Sequence, residues 1–312
     1  MKPIISVIVC THNPRADYLQ QTLNALACQS LPFSVWELLL IDNASREPLE
    51  ATWSLQWHSQ GRIIREDKIG LTAARLRGFE EAQGEILVFV DDDNVLNEHY
   101  LAEVQRSFQQ HPSLGAIGGK SIPQFESSPE PWMAEFYTVL ALRDFGSQRL
   151  ISPIYSPEDK IEYPSFAPAG IGLSIRRIAF GQYVDRAQKD AARLALGRTG
   201  KQLTSGEDND IVLTVLENGW QLGYFPALEV THLISANRLE RDYLARLNQA
   251  AMRSWVQVLG MHNLKLWEPI APWTVFPRKA KAFIAYKAWK DAAAYVRWRG
   301  ACGLYEALAG MA

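Results

Sequence analysis

Three carboxylates stand side by side at Asp91, Asp92 and Asp93. Adjacent carboxylates repel one another unless a cation or a positive partner offsets them, and hard divalent ions with oxygen ligands meet that demand. The triplet follows Ile86-Leu87-Val88-Phe89-Val90 without a break, an apolar run that fits a strand covered on both faces of a parallel sheet. A Mn²⁺ or Mg²⁺ held by one or two of these carboxylates would bridge to a nucleotide diphosphate and stabilise it as a leaving group. Without its setting, such a triplet reads as a solvated acidic turn; its place at the end of a buried strand favours a site. A second acidic group, Gly206-Glu207-Asp208-Asn209-Asp210, reads equally as the cap of a following helix, where carboxylates meet the first amides and the dipole.

The elements that must position these groups show in the hydrophobic pattern. Residues 4–9 form a β-branched strand ended by Thr11-His12-Asn13-Pro14, and Leu19, Leu23 and Leu26 follow at helical spacing. Residues 37–41 predict a second buried strand ended by Asp42-Asn43-Ala44-Ser45, residues 62–64 a third, and residues 70–82 a helix. Buried strands alternating with helices over the first 120 or so residues predict a doubly wound α/β sheet. Such a sheet binds ligands beyond the carboxyl ends of its strands, so the three polar strand ends are expected at one crevice. From 121 to 168 prolines and aromatics replace periodicity (Pro123, Pro129, Pro131, Trp132, Pro153, Pro157, Pro164), which suits a mobile segment. Strand character returns at 170–175, a helix is expected at 208–218, and 221–231 reads as a strand pair or a strand and turn. Residues 278–299 interleave Lys and Arg with Phe283, Tyr286, Trp289, Tyr295 and Trp298, predicting a basic, aromatic helical tail.

Bulk properties exclude several classes. The chain has 312 residues, 47% hydrophobic and 21% charged, in the ordinary globular range. Its formal net charge of -2 argues against a nucleic-acid binder driven by phosphate contacts. Cys10, Cys28 and Cys302 lack metal or redox spacing, and reduced thiols in a cytoplasmic compartment are the simplest reading. The N-terminus passes at once into a strand-like run, so no signal peptide is expected. No apolar run reaches the length of a membrane-spanning helix, and no internal repeat is present. No GxGxxG follows the first strand, which removes a Rossmann oxidoreductase.

Taken in order, the motifs resemble the family 2 glycosyltransferases, over residues 4 to about 235. The resemblance implies the type A nucleotide-sugar-binding (GT-A) fold: one doubly wound, mostly parallel α/β sheet with flanking helices. It implies a catalytic domain at 1–240, with a nucleotide-binding half (1–120) and an acceptor-side half (121–240), and a helical extension at 241–312. Ser6-Val7-Ile8-Val9-Cys10-Thr11-His12-Asn13 is similar to the family's first strand and loop, and Ile41-Asp42-Asn43-Ala44-Ser45 to its second, implying Thr11, Asn13 and Asp42 as nucleoside contacts. Gly70 to Gly78 resembles its GxxxARNxG segment, with Arg75 in place and Leu76 where Asn is common; this implies Gly70 and Arg75 as nucleotide-sugar contacts. Val90-Asp91-Asp92-Asp93 resembles its DxD motif, implying Asp93 as metal ligand, Asp91 as a ribose or metal contact and Asp92 as the middle position. Glu207-Asp208 resembles its ED motif, implying Asp208 as the base that deprotonates an acceptor hydroxyl, with Glu207 beside it.

His232 stands where the family often places a histidine near the metal; a neutral imidazole there would complete the coordination and favour Mn²⁺, while a lone histidine is equally structural. Arg198 and Lys201 are cations suited to close over a diphosphate from a glycine-flanked loop. The processive QxxRW motif is absent, because Gln249, Arg253 and Trp255 have the wrong spacing. The expected activity is inverting, nonprocessive transfer of a sugar from a nucleotide-sugar, by family habit a UDP-sugar, to a glycan or glycolipid acceptor, in surface polysaccharide or glycolipid assembly. A non-catalytic nucleotide-sugar binder or scaffold of the same fold is the alternative. The tail either docks on an anionic membrane, making the protein peripheral, or packs on the catalytic domain.

Overall fold

The structure is a computed structural model that describes residues 2–156, 158–200 and 203–311. In chain order the elements are β1 (Ile5–Thr11), α1 (Ala16–Ala27), β2 (Trp36–Asn43), β3 (Gly61–Glu66), α2 (Leu71–Glu81), β4 (Ile86–Asp91), β5 (Asn94–Leu96) and α3 (Tyr100–Gln110). There follow β6 (Leu114–Phe125), a 3-10 segment (Pro131–Leu140), β7 (Leu150–Ile151), β8 (Ser174–Arg176), α4 (Arg177–Ala187) and α5 (Ala191–Leu194). The chain continues through α6 (Glu207–Glu217), β9 (Gln221–Ile234), α7 (Arg241–Met261), α8 (Val275–Ala285) and α9 (Ala292–Ala309).

One mixed, mostly parallel sheet runs in the order β3-β2-β1-β4-β8-β6-β9-β5, with β7 on β9. Strand alternation sorts its side chains onto two faces. Ile5, Val7, Val9, Leu38, Leu40, Val88 and Val90 pack with Leu19 and Leu23 of α1 and Val104 and Phe108 of α3. Ile8, Leu39, Ile41, Leu87 and Phe89 face the other way, onto Ala74 of α2, Phe180 of α4 and Ile211 of α6. This double cover is why β1 and β2 are buried along their whole length and read as continuous apolar runs. Strand order reverses between β1 and β4, which are parallel neighbours, and an open α/β sheet offers its ligand crevice at such a switch. Register levels the strand ends, pairing Thr11 with Asp42 and Cys10 with Asp91.

Several details differ from expectation. Residues 170–175 are mostly turn, with Gly172 at φ 65°, and only Ser174–Arg176 pairs as strand. Residues 221–231 are neither a pair nor a strand and turn: β9 is one strand of 14 residues that carries irregularities where β6 runs beside it. The tail is two helices. Lys287 takes φ 50°, and Asp291 caps α9 by accepting the N–H of Ala294 at 2.8 Å. α7 and α9 pack through Leu244, Leu247, Ala293 and Val296 onto Met133, Phe136 and Leu140 of the 3-10 segment. Among the described residues no helix is long and apolar enough to cross a membrane, and Cys10, Cys28 and Cys302 are unpaired.

Candidate functional site

A cleft of about 320 Å³ opens beyond the carboxyl ends of β1 and β4. Of the residues singled out from sequence, Thr11, Gly70, Arg75, Asp91, Asp92, Asp93, Glu207, Asp208 and His232 line it. They come from the ends of β1 and β4, the N-cap and second turn of α2, the first turn of α6 and the end of β9. Arg198 lines it too, while Lys201 lies outside the described residues. Asn13 and Asp42 do not line the cleft. The oxygens of Asp42 accept the N–H of Ser45 at 3.1 Å, the N–H of Leu49 at 3.1 Å and Arg65 Nη1 at 2.8 Å. Burial raises this carboxyl, but those donors hold it below the usual range. Asn13 sits at φ 49°, its N–H on Ser45 Oγ and its Oδ1 accepting from the Arg46 N–H, each at 2.9 Å. Asn13 thus ties the first two strand-end loops together, and Asp42 ties the second to β3.

Arg75 is the centre of the inner wall. It is buried, its Nη1 lies 3.1 Å from Glu207 Oε2, and its Nη2 lies 3.9 Å from Asp91 Oδ1. Gly170 lets the backbone approach it, because a Cβ there would meet Arg75 Nη2 at 2.8 Å. The same Gly170 donates its N–H to Asp208 Oδ2 at 3.0 Å. Burial pushes the Glu207 carboxyl up to about 7, Arg75 opposing and Asp208 adding to the rise. Gly206 is the cap position of α6 and no side chain caps the helix from there, but one expected capping carboxylate does meet a first amide: Asp208 Oδ1 accepts the Asn209 N–H at 3.0 Å. Asp208, half-buried, also faces the cleft from this first turn.

The acidic triplet divides. Asp92 accepts from Thr11 Oγ1, and burial with the neighbouring Asp93 charge pushes its carboxyl up to about 7. Asp91 faces Arg75; burial raises its carboxyl and Arg75 opposes the rise. Asp93 turns the other way. Its Oδ1 accepts from Asn94 Nδ2 at 2.8 Å, and its Oδ2 lies 2.9 Å from Arg238 Nη1 and 3.3 Å from His232 Nε2. Arg238 Nη1 is also 3.1 Å from His232 Nε2. Burial opposes ionisation of Asp93, yet His232 and Arg238 together hold its carboxyl far below the usual range.

His232 reaches this position through backbone pairing: β5 and β9 are antiparallel with Asn94 opposite His232, and the Leu233 N–H donates to the Asp93 carbonyl at 2.9 Å. Arg238 carries no motif, though it follows His232 by six residues, and Asn94 closes the DxD-like run with no role of its own expected.

Among the described residues no three of His, Cys, Asp and Glu gather as ligands, so the triplet does not converge on one ion; its charge is offset by Arg75, Arg238 and the Thr11 hydroxyl. The Asp93 and His232 pair nevertheless fits. Ligand bonds of about 2.1 Å at right angles place neighbouring donors about 3 Å apart, and Asp93 Oδ2 and His232 Nε2 are 3.3 Å apart. Both atoms already share one cation, the Arg238 guanidinium. An ion at this edge would take the place that the Arg238 guanidinium now occupies.

Comparison with known proteins agrees with this architecture. A sequence model of Glycosyl transferase family 2 matches residues 6–169. The glycosyltransferase AglE of Haloferax volcanii is 32% identical over 102 residues, covering 32% of this chain and 33% of AglE, so the chain matches about a third of that relative's length. The glucosyl-dolichyl phosphate glucuronosyltransferase of the same organism is 21% identical over 250 residues, covering 77% of this chain and 72% of the relative. A crystal structure of GalNAc-T7 with UDP, GalNAc and Mn²⁺ superposes with a TM-score of 0.55 at 16% identity, over 98% of this chain and 56% of that one.

Proposed function

Because the chain belongs to glycosyl transferase family 2, we propose that it transfers a sugar from a nucleotide-sugar donor, a UDP-sugar, to a hydroxyl of a glycan or glycolipid acceptor, with inversion and one residue at a time. The observation that carries this reading is the convergence of Arg75, Asp91, Asp93, Asp208 and His232 on one cleft at the strand switch. The GT-A relative that holds UDP and Mn²⁺ supports the donor and the ion, and the dolichyl phosphate relative supports a lipid-linked acceptor. The three unpaired thiols fit a reducing, cytoplasmic setting. In this reading residues 1–240 are the catalytic domain and 241–312 its helical extension.

Asp208 accepts the acceptor proton: it faces the cleft, and the Gly170 N–H fixes one of its oxygens. Glu207 is buried against Arg75 and positions the first turn of α6. Thr11, Asp91 and Asp92 border the nucleotide's place, and Arg198 complements its charge from the cleft wall. Asp93 and His232 would hold a Mn²⁺ or Mg²⁺, which when bound supplies charge stabilisation to a leaving diphosphate.

The test is UDP release from a panel of UDP-sugars with glycan and lipid-linked acceptors, in the wild type and in Asp208→Asn. The expected result is acceptor-dependent release that Asp208→Asn loses while retaining UDP binding by calorimetry. UDP-sugar binding without turnover on any acceptor would point to a non-catalytic binder, and equal turnover by Asp208→Asn would remove the base.

A further inference from the structure

The helices beyond residue 240 include one whose apolar side faces outward. Along α8 and the turn before it, Trp273, Phe276, Pro277, Ala280 and Ile284 recur at helical spacing on one stripe. Trp273 is 80% exposed, Phe276 81% and Ile284 66%, and Trp289, just past the helix, is 63% exposed. A helix of a water-soluble surface turns its apolar stripe to the core; here the opposite side is anchored. Ala282 is buried, and Phe283 packs its ring on Trp289 and Trp298 at centroid distances of 5.6 and 5.1 Å. Trp298 Nε1 donates to the Lys279 carbonyl at 3.0 Å, and Lys279 Nζ pairs with Glu306 at 2.6 Å. The stripe is thus held outward by contacts that fix the helix's rotation.

Charge identifies the occupant. Residues 269–290 hold Arg278, Lys279, Lys281, Lys287 and Lys290 and no Asp or Glu. All of these except Lys279 are exposed. A second copy docked through the same face would set these cations against their own equivalents, since a two-fold interface is self-matching. An anionic bilayer meets both features: apolar side chains enter the acyl boundary, Trp and Tyr sit at headgroup level, and Lys and Arg meet lipid phosphates. We propose that α8, with Trp273 and Trp289 at its ends, docks this protein on an anionic lipid surface. The surface is distinct from the cleft, and the inference does not depend on sugar transfer.

The experiment is flotation of the whole chain with phosphatidylcholine vesicles, with and without phosphatidylglycerol, at low and high salt, followed by tryptophan fluorescence. Wild type floats with anionic vesicles at low salt and its emission shifts to the blue. Each basic residue near an anionic surface contributes about fivefold, so Lys281→Ala with Lys290→Ala lowers partition about thirtyfold. Trp273→Ser with Phe276→Ser lowers it at least as far and removes the blue shift, with far-UV circular dichroism unchanged because these side chains support no packing. The proposal is overturned if wild type does not float with anionic vesicles, if either double variant floats like wild type, or if wild type runs as a dimer that Trp273→Ser with Phe276→Ser dissociates. Vesicle binding needs neither donor nor acceptor, so its failure leaves the proposed transfer standing, and failed transfer leaves vesicle binding standing.

Discussion

Replacing Arg238 by methionine keeps the length of the side chain and removes its charge. In the wild type Arg238 Nη1 holds Asp93 Oδ2 at 2.9 Å and His232 Nε2 at 3.1 Å, the two atoms an ion would use. An ion entering this edge must first break a buried hydrogen bond between charged groups, which is worth about 1.5–3 kcal/mol. Arg238→Met abolishes that cost, so Mn²⁺ should bind about 10- to 150-fold more tightly to the variant. Without the ion, Asp93 loses its nearest cation, at 2.9 Å, in a setting where only 19% of its side chain is exposed. The variant should therefore melt below wild type, and Mn²⁺ should restore much of that loss because it binds only the folded state. The assay is the free Mn²⁺ signal by electron paramagnetic resonance in a titration without nucleotide, alongside thermal unfolding with and without Mn²⁺. Equal or weaker Mn²⁺ binding by Arg238→Met would show that the guanidinium does not compete with the ion at this pair.

Other consequences are as direct. Gly170→Ala forces a methyl group to within 2.8 Å of Arg75 Nη2, and overpacking of this kind costs about 1–3 kcal/mol in urea unfolding; wild-type stability with full turnover would mean the guanidinium shifts freely. Arg75→Met leaves Glu207 buried without its partner, a loss of about 3–5 kcal/mol when the carboxylate is charged. The Glu207 carboxyl is already raised to about 7, so its contribution to stability is greatest at low pH and is lost as pH rises through the folded value. Arg75→Met should then be less destabilising at pH 5 than at pH 8 in parallel urea titrations, and the reverse order would refute the pairing. His58, 2% exposed among aromatic rings, is lowered by burial from 6.5 to about 4. Its neutral form contributes stability that is whole above pH 6.5 and is lost as pH falls through 4, about 3 kcal/mol. His58→Leu should flatten that part of the stability profile.

The strands and the triplet were legible because both faces of the sheet are covered, so β1, β2 and β4 appear as unbroken apolar runs that end in polar residues. What the sequence did not reveal depends on pairing between distant segments. β9 looked broken because Pro226 and Ala227 interrupt its alternation, yet the irregular register beside β6 absorbs them in one strand. Arg238 carries no local signal: its role comes from the turn that returns it to the His232 it follows. The end of β2 reaches the cleft through Asn43, while the oxygens of the neighbouring Asp42 are held by backbone amides of its own loop and by Arg65. The tail read simply as helical because nothing in its basic, aromatic pattern marks the left-handed backbone at Lys287, which parts α8 from α9.

The two groups facing Arg238, Asp93 and His232, lie 139 residues apart in the chain, and the strand that joins them, β5, has three residues at the edge of the sheet. Edge strands this short have few partners and open more readily than central ones. Occupancy of the cation position is therefore coupled to the fraying of β5. Any ligand that holds Asp93 to His232 acts as a clasp on that edge, and should slow amide exchange at the β5 and β9 hydrogen bonds before it changes exchange in β1 or β4.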